Sequence, residues 1–149
     1  MKRVMMSLVL MLFPLTANAG EKVSGTDFYV VDEQRWETGD GSGYWIWHGT
    51  GVTTVKEGPL PEASAIECHG AGFWDKGGFW GEGICIEGAG GDTRTFHWRE
   101  EKGQEMVQFE YLSGTGAYAG ITGRGTGRNQ PLPGGRSISK WEAEITFPQ

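Results

Sequence analysis

Ser113-Gly114-Thr115-Gly116-Ala117-Tyr118-Ala119-Gly120-Ile121-Thr122-Gly123-Arg124-Gly125-Thr126-Gly127 is the stretch on which the fold turns. Its glycines Gly114, Gly116, Gly120, Gly123 and Gly125 follow G-x-G-x(3)-G-x(2)-G-x-G, with one aromatic, Tyr118, among them. Without a Cβ, glycine takes positive φ and lets backbone or a bulky ring come close; within a strand it marks a bend or bulge. The stretch therefore reads as a turn at Gly114–Gly116 followed by a bent strand through Thr126. Phosphate binding does not fit. A P-loop needs a lysine after its second glycine, and none follows here. A dinucleotide fingerprint needs a helix after the loop, and four further glycines with an Ile-Thr pair make a poor one.

Gly114 to Gly123 resembles the T-G-x-[FY]-x-G-x-x-G segment of the allene oxide cyclase-like barrel superfamily, which includes plant dirigent proteins and small secreted bacterial proteins. Gly91-Asp92, leading into Phe96 and Trp98, is similar to a G-D turn in the bacterial members, and Trp141 to Pro148 to their closing strand and terminal proline. The resemblance covers the second half of the chain beyond the N-terminal segment. It implies a small closed antiparallel barrel and, in the enzymes of the superfamily, catalysis by interior polar groups; none of those groups matches a residue here.

At the N-terminus, Lys2 and Arg3 precede an apolar run from Val4 to Leu15 and an Ala17-Asn18-Ala19 cleavage signature. That is the pattern of a secretory signal peptide, Met1 to Ala19, with the mature chain starting at Gly20. The run is too short for the ~20 residues a membrane span needs. The expectation is an exported protein, periplasmic or extracellular, with no integral membrane segment after cleavage. Loss of Lys2 and Arg3 takes the formal charge from −6 to −8, and no basic block stands out, which argues against nucleic acid and anionic lipid as partners. The remaining length suits a single domain, residues 20–149.

Glycines interspersed with aromatics and β-branched residues favour an all-β chain, and no window carries a helical apolar period. Strands are expected at Asp27–Trp36, Gly43–Val55, Ala63–Trp74, Phe79–Glu87, Thr93–Arg99, Gln104–Leu112, Tyr118–Gly127 and Ser137–Phe147, with a Pro/Gly loop at Asn129–Gly135. About eight strands at this spacing suit an up-and-down barrel, which leaves no exposed edge. Folding Ile66–Trp74 onto Phe79–Glu87 about Asp75-Lys76-Gly77-Gly78 sets Cys68 opposite Cys85, Gly70 opposite Gly83, Gly72 opposite Gly81 and Trp74 opposite Phe79. In an exported chain the two cysteines are expected to pair as a structural disulfide.

Signals for chemistry are sparse. His48, His69 and His97 fall on different strands and form no ligand motif, so no metal and no cofactor is expected. G-x-S-x-G is absent. Glu67, Glu82, Glu87, Glu110, Glu142 and Glu144 lie in strands, mostly as outward polar positions; one turned into an apolar interior would have a raised pKa. Asp92 is expected to cap a turn. Tryptophan is the strongest remaining signal: Trp36, Trp45, Trp47, Trp74, Trp80, Trp98 and Trp141 either fill the space left by glycines or line a ligand cavity. Trp45, Trp47, His97, Trp98 and Tyr118 are the candidate ligand-binding residues. The leading expectation is a non-catalytic binder of a small hydrophobic ligand or a partner surface. A cyclase- or dirigent-type isomerase and a carbohydrate-binding module with exposed tryptophans are the alternatives; the sequence leaves the oligomeric state open.

Overall fold

Eight antiparallel strands follow one another around a closed ring in a computed structural model that describes residues 20–148. The signal peptide read at Met1–Ala19 lies outside the described residues. The strands are β1 (Glu21–Glu37), β2 (Gly43–Glu57), β3 (Ala63–Asp75), β4 (Gly78–Ala89), β5 (Asp92–Glu100), β6 (Val107–Gly114), β7 (Thr122–Leu132) and β8 (Arg136–Thr146). Each pairs with the next, and β8 returns to β1 from Glu21↔Ile145 to Val30↔Arg136, so the ring closes.

The β3–β4 hairpin has the register expected from its sequence: Cys68↔Cys85, Gly70↔Gly83, Gly72↔Gly81 and Trp74↔Phe79. Cys68 and Cys85 form a disulfide across this ladder. Gly70 and Gly83 are glycine for a packing reason, since a Cβ at either would overlap the Trp98 indole.

The glycine-rich stretch departs from expectation. Strand structure does not begin at Tyr118. After β6 ends at Gly114, Gly116–Tyr118 form a 3-10 turn, the chain passes Gly120 at φ +75°, and β7 starts only at Thr122. Tyr118 and Ile121 are buried, so this segment closes one end of the barrel instead of extending its wall. Asp92 helps to form it: its carboxylate accepts the Ala117 N–H at 3.0 Å, and it occupies the space a side chain at Gly116 would need.

The expected loop at Asn129–Gly135 is likewise strand as far as Leu132. Pro131 is tolerated there because β7 pairs with β6 only over Arg124–Gly127, leaving its far end bonded to β8 alone.

Candidate interior site

Strand direction gives the barrel two unlike ends. The starts of β1, β3, β5 and β7 and the ends of β2, β4, β6 and β8 lie at one end, closed by Val23, Leu60, Tyr118, Ile121 and Ile145. The β1–β2, β3–β4, β5–β6 and β7–β8 connections surround the other. Between them lies a cavity of about 510 Å³. Its wall carries Trp45, Trp47, Phe79, Phe96, Trp98, Phe109, Tyr111 and Trp141, with Glu33, Arg35, Leu132 and Arg136 toward the open end. The aromatics pack against one another: Trp45–Trp47 at 6.0 Å, Trp47–Trp98 at 5.7 Å and Trp45–Phe79 at 5.0 Å between ring centres. The indole N–H groups of Trp45 and Trp98 are buried and find no acceptor among the described residues.

The floor of the cavity is polar. Asp27 of β1 is directly opposite Thr53 of β2, and both are buried. The Thr53 hydroxyl lies 2.8 Å from Asp27 Oδ1 and 2.5 Å from Glu87 Oε1. Glu87 in turn accepts Arg94 Nε at 2.5 Å, and Arg94 Nη2 donates to the Ser64 hydroxyl at 3.3 Å. Trp141 Nε1 donates to Asp27 Oδ1 at 2.8 Å, and the Tyr29 hydroxyl donates to Oδ2 at 2.9 Å. Arg94 also sits 5.1 Å over the Tyr118 ring, which ties this network to the closing turn.

Thr53 has one hydroxyl hydrogen but lies between two carboxyl oxygens, so a second hydrogen belongs on a carboxyl. Burial, and then the charge of Glu87, push the Asp27 carboxyl up to about 7, against the opposing hydrogen bonds from Thr53, Trp141 and Tyr29. The Thr53 hydroxyl is placed to donate to Asp27 Oδ1 or to Glu87 Oε1. Burial and the nearby Asp27 charge also raise Tyr29, keeping its hydroxyl protonated. Asp27 and Tyr29 both line the cavity, so a proton donor and acceptor face its contents.

Of the sequence candidates, Trp45, Trp47 and Trp98 lie together on the cavity wall. His97 does not. It alternates with Trp98 and so points outward, where Nε2 meets Glu82 at 3.1 Å. Tyr118 is inside the molecule but belongs to the closed end and is not among the lining residues. Sequence reading missed Asp27, Tyr29, Thr53 and Arg94, whereas Glu87 was one of several strand carboxylates. One available signal was position: Glu87 lies two residues beyond Cys85 and therefore shares its inward face.

No protein-family model and no curated protein matches this sequence. Among solved structures, a pterocarpan synthase dirigent protein superposes with a TM-score of 0.53 at 12% identity, covering 87% of this chain and 88% of that one. The fold is thus the barrel of the allene oxide cyclase and dirigent type. A pyocyanin demethylase aligns with a TM-score of 0.47 at 15% identity, over 81% of this chain and 99% of its own.

Proposed function

We propose that the barrel binds a small, mostly apolar, ring-containing molecule that enters at the open end, lies against the tryptophan wall and directs a polar group toward Asp27 and Tyr29. The single observation that carries this reading is the cavity itself. Its volume lies within the usual range for small-molecule sites, and its walls are aromatic around a few convergent polar groups. Trp45, Trp98 and Trp141 are buried, and Trp47 and Trp74 pack against the core, so most of the indole surface faces inward. That distribution favours a cavity ligand over a carbohydrate lying on an outer platform. We further propose that the protein acts after export, in the periplasm or outside the cell; the disulfide suits an oxidising compartment.

The neutral lipophilic probe N-phenyl-1-naphthylamine tests the binding reading. Saturable quenching of tryptophan fluorescence is expected, with affinity at least about tenfold weaker in Trp47→Ala, the loss of roughly one well-packed aromatic contact. Absence of saturable quenching, or equal affinity in the variant, would overturn it. One observation favours a second reading, acid–base chemistry inside the cavity. Asp27, raised to about 7, can give or take a proton near neutral pH, as a cyclase or isomerase would require. Loss of turnover with retained probe binding in Asp27→Asn would separate catalyst from binder.

A further inference from the structure

On the outer face of the wall, away from the cavity, register brings together three metal-ligating side chains that are scattered in the sequence. His48 of β2 is directly opposite His69 of β3, and Glu67 lies two residues before His69 on the same face. The two imidazole rings stack with centres 4.5 Å apart at 10°. Glu67 Oε1 is 3.2 Å from His48 Nε2 and 3.0 Å from His69 Nε2. We propose that His48, Glu67 and His69 form a surface site for a divalent transition-metal ion of the zinc or copper class.

The geometry is close to what such an ion requires. Zinc bonds of about 2.0–2.2 Å to imidazole nitrogen and carboxylate oxygen place tetrahedral donors roughly 3.2–3.5 Å apart. The donors already converge, with one ligand atom from each residue within 4.8 Å of the others. The paired strands fix their Cα positions, so binding requires only small side-chain adjustments. Two imidazoles select zinc, copper or nickel over calcium and magnesium, which prefer oxygen donors. The side chains are 43%, 57% and 64% exposed for His48, Glu67 and His69, leaving a coordination position open to water or a ligand from another molecule.

Calorimetric titration of the untagged mature protein with Zn²⁺ tests the assignment. One ion per chain is expected, with affinity at least about tenfold weaker in His48→Gln and in His69→Gln, whereas His97→Gln binds as the native chain does. With Cu²⁺ as probe, electron paramagnetic resonance should show coupling to two imidazole nitrogens in the native protein and one in His48→Gln. Circular dichroism of the metal-free variants checks that the barrel is intact. Lack of stoichiometric binding, or unchanged affinity in a folded His48→Gln/His69→Gln chain, would overturn the proposal.

Discussion

Arg94–Glu87 at the closed end and Arg35–Glu33 at the mouth are the same kind of ion pair in opposite settings. The first is 2.5 Å long with side chains 0% and 2% exposed; the second is 3.1 Å long with side chains 63% and 41% exposed. At the floor, removing either partner leaves the other charge almost wholly buried and unpaired. At the mouth, water replaces a lost partner, and salt screens what attraction there is. Burial, more than the identity of the charges, decides which end of the barrel is held by electrostatics.

The sharpest way to test this contrast is Arg94→Met, which leaves Glu87 buried without its partner. A loss of about 3–5 kcal/mol is expected in denaturant unfolding. A loss under about 1 kcal/mol would mean that the floor is wetter than its geometry implies.

The next largest effect concerns Asp27. Below about pH 4 its carboxyl is protonated in both folded and unfolded chains. As pH rises toward about 7, the unfolded chain releases that proton while the folded chain retains it, so the barrel loses stability until the folded carboxyl also ionises. The rise from 3.8 to about 7 corresponds to at most about 4 kcal/mol. Chemical denaturation between pH 4 and 8 should therefore fall more steeply with pH for the native protein than for Asp27→Asn. Parallel curves would place the floor proton elsewhere.

The smallest effect is expected at the rim. Arg35 pairs with Glu33 and lies 5.8 Å over the Trp74 ring, but remains largely solvated. Arg35→Ala should change stability by no more than about 1 kcal/mol. A larger change would erase the contrast between the two ends.

The closed-end turn and the interior site differ in how much of each could be read from sequence. The β3–β4 register was legible because the turn, the cysteines and the paired glycines all specify one alignment. The glycines at 114–125 marked a place where the chain bends, yet could not distinguish a bent strand from a turn plugging the barrel. Tyr118 and Ile121 made that difference by finding a buried place beneath Arg94 and among Val23 and Ile145. The site was less legible still, because apolar alternation points the wrong way on two strands. Phe28 and Val30 are exposed while Asp27 is buried on β1, and Ile84 and Ile86 are exposed while Glu87 is buried on β4.

Residue order alone determined the strand-rich architecture, the number of strands and the Cys68–Cys85 hairpin, because turn chemistry, period-two patterning and direct cross-strand pairing act over short spans. Closure of the ring decided the rest. Only when β8 met β1 did Asp27 come within reach of Trp141, and only the β2–β3 ladder set His48 against His69. Such contacts join residues as many as 114 positions apart, a separation over which no local preference specifies a partner.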